Sequence, residues 1–256
     1  MFGSSNLNEI DEKVKAWIAG EEKEIPPPTL PYEKKLVAFI DILGVTDKVK
    51  EGGDDAAQVV TIMKQIRTYV ETECNSLVKA EKLSSLQIGD GFFIVCDTDC
   101  INEICRILSV VQWQVLIDSQ MLLRGVLTAG KVAVGEDGKY FIGPAVIEAL
   151  ELERRNAIFP RIIYENKQIE KYINKEDMNF EYIIEDQDKI KYLDFIRYNI
   201  DSEQLTAEKL EQLLTEKEVN KTLKEAYERK ICKDKAVAQK YGWLISKLAI
   251  HGIKII

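Results

Sequence analysis

Residues 35–50 read KLVAFIDILGVTDKVK, a mostly apolar run that carries one carboxylate, Asp41, near its centre. A run of this kind predicts a strand in the protein core. An ionised aspartate is costly to bury unless a partner group or a metal compensates it. The run therefore predicts the first core strand and a candidate site at Asp41.

The composition indicates a folded, acidic protein. The 256 residues include 35 lysines and arginines against 43 aspartates and glutamates, for a formal net charge of −8. This length allows one domain or two small ones with a substantial core. A broad basic surface for nucleic acid is not expected from this charge balance, whereas a small phosphorylated ligand needs only a local cluster of cations.

The cysteines and the single histidine argue against two classes of site. The 5 cysteines show no C-x-x-C spacing, and the 1 histidine is His251 near the end of the sequence. A zinc site and Ser-His or Cys-His catalysis are therefore not expected. No signal peptide and no apolar run of about 18 residues is apparent, so we expect a cytoplasmic protein without membrane contact.

The order of the predicted elements indicates the fold. After the first strand come a helix over about 56–78, two strands around the IGDG turn (88–91), a helix over about 101–119, a strand over 122–134 and a helix over about 144–156. The order β-α-β-β-α-β is that of a ferredoxin-like sandwich, an α+β fold. Beyond it the sequence predicts a hairpin and charged, leucine-bearing helices.

We expect three segments along the chain. Residues 1–34 would form an N-terminal helical arm that Pro26-Pro27-Pro28 ends. Residues 35–165 would form the catalytic core. Residues 166–256 would add a hairpin and helices that pack on the same core.

Two acids are candidate metal ligands. Asp41 lies in the first predicted strand and Asp90 in the turn of the predicted hairpin. In a β-α-β-β sheet the first strand commonly lies beside that hairpin, so both carboxylates could project into one site. Two close carboxylates repel unless a cation joins them, and Mg²⁺ or Mn²⁺ prefers carboxylate and phosphate oxygens. The pair suggests metal-assisted phosphoryl or nucleotidyl transfer, with an ordinary turn residue as the alternative for Asp90.

Arg124 and the segment after Asp41 are candidate phosphate contacts. Arg124 begins an Arg-Gly-x-x-x-x-Gly pattern and would hold phosphate oxygens or neutralise charge on a leaving group. Gly44 would let the backbone N–H groups of residues 42–46 turn toward a phosphate. The alternatives are a solvated arginine at a strand end and a glycine that simply ends the strand.

Taken together, three stretches resemble the class III nucleotidyl cyclases. They are FIDILG (39–44), IGDG (88–91) and GPAVIEALELE (143–153), the last similar to a G-x-x-V-N-x-A-x-R-L-E helix. The similarity covers about residues 35–164. It implies a class III cyclase-like fold in which two Mg²⁺ or Mn²⁺ ions serve attack of the ribose 3′-OH on the α-phosphate and release of pyrophosphate.

The resemblance also implies a set of site residues. Its catalytic residues are Asp41, Asp90 and Arg124. Its metal ligands are Asp41, Ile42 and Asp90. Its substrate contacts are Ile42, Leu43, Gly44, Val45, Thr46, Leu86 and Tyr140.

Several positions depart from the usual pattern. Ile147 stands where most members have the transition-state Asn, and Glu151 where they have an Arg. Leu86 and Tyr140 occupy the two positions that read a purine. Leucine offers no directed hydrogen bond, and tyrosine would take up room needed by a two-ring base.

The chain is more similar to the pyrimidine cyclases of bacterial Pycsar anti-phage systems. The shared features are IDILG, the Arg-Gly-x-x-x-x-Gly strand, the helix ending in LELE, a PRI strand (160–162) and a late YLDF (192–195). This resemblance implies conversion of UTP or CTP to a 3′,5′-cyclic monophosphate, a second messenger for a cyclic-nucleotide-responsive effector. It also implies a homodimer with active sites at the subunit interface.

Other functions remain open on the sequence. UTP is slightly favoured over CTP, which leaves a cytidylate cyclase as one alternative. The replacements at Ile147 and Glu151 favour a second, a non-catalytic module for nucleotide binding or dimerisation. A third, polymerase-like nucleotidyl transfer, is disfavoured by the acidic charge.

Overall fold

The structure is a computed structural model that describes residues 31–45, 49–50, 53–75, 83–135, 138, 140–231, 234–253 and 255. The chain divides into Met1–Pro31 and Tyr32–Ile256. Residues 1–30 of the expected N-terminal arm lie outside the described residues, as does Thr46.

The described part of the chain contains both strands and helices, as expected for an α+β protein. The strands are β1 (Glu33–Ile42), β2 (Leu83–Ile88), β3 (Gly91–Asp97), β4 (Leu123–Val134), β5 (Phe141–Ile142), β6 (Ile162–Tyr164), β7 (Ile183–Glu185) and β8 (Lys191–Leu193). The helices are α1 (Gly53–Asn75), α2 (Ile101–Ser119), α3 (Pro144–Asn156), α4 (Asn166–Ile169), α5 (Phe195–Ser202), α6 (Ala207–Glu216), α7 (Val219–Ile231) and α8 (Lys235–Ile250).

The sheet has the strand order of a ferredoxin-like sandwich. Its strands run β2-β3-β1-β4-β6-β8-β7, and β5 pairs with the far end of β4. β1 lies between β3 and β4 and is antiparallel to both. The connection through α1 joins β1 to β2 past β3, and the connection through α2 joins β3 to β4 past β1, as in a ferredoxin-like sandwich. The predicted β-α-β-β-α-β core is therefore confirmed, and β6 extends it in parallel with β4.

Side chains of β1 alternate between two layers of the core. Leu36 and Ile40 face α1 and α2, whereas Val37 and Phe39 pack with residues of α3. Successive strand side chains point to opposite faces, so Asp41 shares the face of Val37 and Phe39. This alternation directs the acid toward α3.

The C-terminal helices cover the outer side of α2. Trp113 and Leu116 of α2 belong to one buried cluster with Leu214, Leu223 and Leu244 of α6, α7 and α8. Residues Tyr32–Ile256 accordingly form one compact unit.

A buried polar network fixes α8 to the β7–β8 hairpin. Asp186 accepts hydrogen bonds from Arg161 (2.7 Å), Trp243 (2.6 Å) and Lys247 (2.8 Å). Arg161 is fully buried and also pairs with Asp188. Burial alone would raise the pKa of Asp186, but the hydrogen bonds from Lys247 and Trp243 lower that pKa to about 2. Asp186 therefore stays ionised and holds the end of the sheet to α8.

Most predicted element positions agree with the structure. The helices over 101–119 and 144–156, the hairpin at the IGDG turn and the late hairpin are all present. The helix predicted to begin near residue 56 begins at Gly53 instead. Among the described helices, the segment Thr98–Ser119, which contains α2, is long and apolar enough to cross a membrane, but 72% of its apolar 18-residue window is buried inside the protein, as expected of a core helix.

Candidate active site

The pairing register of β1 with β4 places Asp41 directly opposite Arg124. Asp41 pairs with Arg124 of β4 on one side and with Gly91 of β3 on the other. Directly paired residues of neighbouring strands carry their side chains on the same face. The site thus begins where β1, β3 and β4 meet at one end of the sheet.

Arg124 neutralises Asp41 through hydrogen bonds to one carboxylate oxygen. Its Nη2 and Nε donate to Asp41 Oδ2 at 3.0 and 3.2 Å. Its Nη1 donates to the carbonyl of Ala157 at 3.4 Å. The Asp41 side chain is 16% exposed, so the acid in the first strand is only partly buried and has a cation as its partner. Both bonds end on Oδ2, which leaves Oδ1 without a bond from Arg124.

Glu153 is a second carboxylate beside Arg124. Its Oε1 lies 2.7 Å from Arg124 Nε, and its side chain is 8% exposed. That oxygen nevertheless receives no hydrogen bond, because the Nε–H points to Asp41. A buried carboxylate oxygen with no hydrogen-bond donor is rare in proteins, and here the adjacent guanidinium charge of Arg124 compensates it.

Glu153 was not among the predicted site residues, although its spacing was a usable signal. It follows Ala145 and Ala149 at intervals of four residues, and all three are buried on the inner face of α3. A glutamate on an otherwise apolar helix face needs a partner for the same reason as an aspartate in an apolar strand.

Burial and the neighbouring carboxylates raise the pKa values of these acids, whereas Arg124 lowers them. Burial raises the pKa of Asp41, the hydrogen bond from Arg124 opposes that rise, and the charge of Asp90 adds to it. Burial likewise raises the pKa of Glu153, Arg124 opposes the rise, and Asp41 and Asp90 add to it. On balance the pKa of each acid lies above its ordinary value.

Asp90 lies in the same neighbourhood. It occupies the tight turn between β2 and β3, beside Gly91, which is the strand partner of Asp41. Its charge acts on both Asp41 and Glu153, so the three carboxylates share one region around Arg124. The two acids predicted as metal ligands are thus brought to the same end of the sheet.

Lys240 of α8 is a further cation near this cluster and was also missed by sequence reasoning. Its side chain is partly buried, and its charge interacts with those of Arg124, Asp41 and Glu153. The helix lies outside the predicted core, and no motif connects residue 240 with residue 41. No signal in the sequence would have found it.

The oxygen donors of this site suit a hard divalent cation whose remaining ligands come from a phosphorylated substrate. Among the described residues, no group of three or more His, Cys, Asp or Glu side chains is arranged to hold a metal ion by itself. Asp41 and Asp90 offer carboxylate oxygens, and Oδ1 of Asp41 is not bonded to Arg124. Mg²⁺ is typically bound by one or two carboxylates together with substrate phosphates and water. Ile42 has its side chain in the core, so only its backbone could take part.

The segment after Asp41 is a tight turn against the core. Leu43 and Val45 are buried, and the Leu43 N–H donates to the carbonyl of Leu122 at 2.8 Å. Gly44 is exposed and has a φ of +87°, a conformation that favours glycine. The Leu43 N–H is therefore already used, and Gly44 is the exposed backbone of this turn.

The two predicted base contacts, Leu86 and Tyr140, lie at different distances from the Arg124 end of β4. Leu86 pairs with Phe93 on the face of the sheet that also carries Phe39. Tyr140 follows the far end of β4 and is 52% exposed. Gly138, two residues before Tyr140, lies near β2, because a Cβ on it would be 3.6 Å from Ser84 Oγ. Leu86 lies on β2 four residues before Asp90, on the same face of the sheet as Asp41, whereas Tyr140 lies beyond the end of β4 opposite to Arg124.

The two α3 residues that depart from the usual cyclase pattern, Ile147 and Glu151, lie on the outer face of the helix. Ile147 is 60% exposed, and Glu151 is exposed and pairs only loosely with Arg155 at 3.7 Å. Neither belongs to the Arg124 cluster of the same chain.

Comparison with known proteins finds similarity only among solved structures. No family model and no curated protein matches the chain. A bacterial light-regulated adenylyl cyclase is 15% identical over 74% of this chain and 64% of that one, with a TM-score of 0.45. The guanylyl cyclase domain of the RhoGC fusion protein from the aquatic fungus Blastocladiella emersonii is 17% identical over 63% of this chain and 94% of that one, with a TM-score of 0.46.

A third similar structure is the adenylyl cyclase CyaB from P. aeruginosa, 16% identical over 63% of this chain and 93% of that one, with a TM-score of 0.39. This chain spans 64% of the light-regulated enzyme's structure. Because these TM-scores are below 0.5, the fold described above rests on the chain's own strand order and register.

A double-mutant cycle tests the coupling between Arg124 and Glu153. Arg124→Met leaves two partly buried carboxylates without their nearest cation and should lower the free energy of unfolding by about 2–3 kcal/mol. Once Glu153→Gln has removed one of these charges, Arg124→Met should cost about 1–2 kcal/mol less. Urea unfolding of the single and double variants measures this difference.

The matched control is the exposed pair Arg155 and Glu151 on α3, the helix that also carries Glu153. The cycle of Arg155→Met and Glu151→Gln should give a coupling of only about 0.3 kcal/mol, because water screens that pair. Equal couplings in the two cycles would show that the Arg124 cluster is no more desolvated than a surface ion pair.

Proposed function

We propose that this protein is a metal-dependent nucleotidyl cyclase that converts a pyrimidine nucleoside triphosphate, with UTP favoured, to its 3′,5′-cyclic monophosphate and pyrophosphate. The observation that carries the proposal is the meeting of Asp41, Asp90 and Arg124 at one end of the sheet. In this reaction the ribose O3′ attacks the α-phosphorus, the bond from that phosphorus to the pyrophosphate oxygen breaks, and the 3′-OH loses its proton.

Two divalent cations, Mg²⁺ or Mn²⁺, would be held by the carboxylates of Asp41 and Asp90 with the backbone of Ile42. When bound, such ions lower the pKa of a coordinated hydroxyl group and stabilise charge on phosphate oxygens. Oδ1 of Asp41, which is not bonded to Arg124, and the hard oxygen donors of both acids support this assignment.

Arg124 would stabilise the negative charge that develops on the departing pyrophosphate. Its guanidinium is held from two sides by Asp41 and by the Ala157 carbonyl, so its position is defined before substrate binds. A preorganised cation of this kind is most effective where charge develops in the transition state. Glu153 would hold Arg124 from the α3 side.

The pyrimidine preference is supported by the residues at the two base-reading positions. Leu86 has no hydrogen-bonding group, and the Tyr140 ring would restrict the space available to a purine. Discrimination between uracil and cytosine depends on single donor and acceptor positions on the ring. Cytidylate cyclase activity is therefore the nearest alternative.

A homodimer with shared active sites is part of the proposal. Large apolar side chains on β5 and α3, namely Ile142, Ile147 and Leu150, are 47%, 60% and 42% exposed. A concentration of exposed apolar groups is typical of an interaction surface.

The cellular role rests on the resemblance to the Pycsar cyclases. The product would act as a cytoplasmic second messenger that switches on a cyclic-nucleotide-responsive effector during phage infection. Neither nucleic acid nor membrane would be a partner.

A non-catalytic nucleotide-binding or dimerisation module is the second candidate. It is favoured by the ion pair itself, because Arg124 already compensates Asp41. It is also favoured by Ile147 and Glu151, which replace a polar pair that most class III cyclases use in the transition state.

An assay of the four common nucleoside triphosphates with Mn²⁺ separates these candidates. We expect turnover of UTP or CTP in preference to ATP and GTP. The double variant Asp41→Asn with Asp90→Asn should lose turnover by about 10²-fold or more while still unfolding in one cooperative thermal transition.

Asp201→Asn is the control for the loss of an aspartate, because Asp201 forms an exposed pair with Arg197 at 3.6 Å. It should turn over substrate at the wild-type rate. Preferred cyclisation of ATP or GTP would refute the pyrimidine assignment, and absence of any cyclic product would favour the non-catalytic module.

The variant Ile147→Glu tests the dimer. A charge at this exposed apolar position should leave the stability of the single chain within about 0.5 kcal/mol but disrupt an apolar interface. Sedimentation velocity should show a dimer for the wild type and a monomer without cyclase activity for the variant. Val60→Glu, at a 51% exposed position on α1, is the control and should remain a dimer. A dimeric, active Ile147→Glu protein would contradict the shared site.

A further inference from the structure

Lys240 is a partly buried cation without a bound counter-ion. Among the residues that the structure describes, no carboxylate oxygen lies within 4.0 Å of its ammonium group, whereas Lys247 on the same helix pairs with Asp186 at 2.8 Å. A partly desolvated ammonium group with no partner loses part of its hydration without compensation. An anionic ligand beside Lys240 would compensate this lost hydration.

The fold holds Lys240 beside the Arg124 cluster. Trp243 stacks on Phe159 with a centroid distance of 5.9 Å and donates to Asp186. Lys240 precedes Trp243 by three residues and so lies on the same face of α8, one turn away. Phe159 belongs to the short segment after α3 whose Ala157 carbonyl accepts a hydrogen bond from Arg124. The face of α8 that carries Lys240 thus adjoins the segment that Arg124 contacts.

The charges around Lys240 favour a ligand with several negative charges. Burial and the like charge of Arg124 lower the pKa of Lys240, while Asp234, Asp41 and Glu153 raise it. Arg124 and Lys240 repel each other, and the Asp41 carboxylate is already bonded to Arg124. A polyphosphate that spans both cations would relieve the repulsion and supply the missing counter-ion.

We propose that Lys240, contributed by the C-terminal helix from outside the ferredoxin-like core, binds the polyphosphate of the substrate as a second cation beside Arg124. As an inference about the nucleoside triphosphate, it rests on the proposed cyclase function. Because Lys240 would contact phosphates present in both ground and transition states, it mainly lowers KM and affects kcat less.

The binding of magnesium tripolyphosphate to the full chain, measured by calorimetry, tests this site without turnover. Lys240→Met keeps the apolar stem and removes the charge, and it should weaken binding about tenfold. Lys240→Arg should restore most of the affinity because it restores the cation. Lys235→Met removes an exposed lysine from the same helix and should bind within twofold of the wild type. In cyclase assays, Lys240→Met should raise KM about tenfold with a smaller change in kcat.

Wild-type affinity in Lys240→Met, an equal loss in Lys235→Met, or no binding of tripolyphosphate by the wild type would overturn the inference. The cyclase assay of the wild type separates this outcome from failure of the proposed function. A protein that loses tripolyphosphate binding in Lys240→Met but cyclises no nucleotide retains the polyphosphate site and refutes the cyclase. A pyrimidine cyclase whose KM and kcat are unchanged by Lys240→Met refutes the role of Lys240 alone.

Discussion

The ion pair between Arg124 and Asp41 is the interaction on which the rest of the site depends. It exists because β1 and β4 pair in a register that sets these two residues directly opposite each other. A shift by one residue would send one of the side chains to the other face of the sheet. Gly125 keeps the strands close at this point, because a Cβ there would lie 2.3 Å from the Phe39 carbonyl oxygen. The register and this glycine together determine the position of the charge pair.

Charge balance around the pair connects the fold to the proposed chemistry. Asp41, Glu153 and Asp90 contribute carboxylates, whereas Arg124 and Lys240 contribute the neighbouring cations. Burial raises the pKa of both Asp41 and Glu153 and so disfavours their ionised forms. An additional cation beside them would favour the ionised forms. A divalent ion would satisfy the acids, and the polyphosphate that accompanies it would satisfy Arg124 and Lys240. In the proposed reaction, the acids and the cations of the cluster would thus bind complementary parts of one metal–nucleotide complex.

The sequence predicted the parts of the site that lie within regular elements. The apolar run around Asp41 predicted β1, and the turn at Asp90 predicted the adjacent hairpin, because alternation and turn chemistry are local properties. Arg124 was predicted as a phosphate contact, whereas its pairing with Asp41 depends on a register between strands 83 residues apart. Lys240 was missed because its approach depends on the packing of α8, and residue spacing alone does not encode that packing. Glu153 was missed although its burial follows from helical periodicity.

The most direct test of the account is a crystal structure with Mn²⁺ and a non-hydrolysable UTP analogue. The central claim is that Asp41 and Asp90 together hold the divalent cation. The account predicts anomalous manganese peaks within about 2.5 Å of carboxylate oxygens from both residues, with the triphosphate beside Arg124. A triphosphate bound elsewhere, or a cluster that binds no manganese while Asp41 remains paired with Arg124 alone, would contradict it.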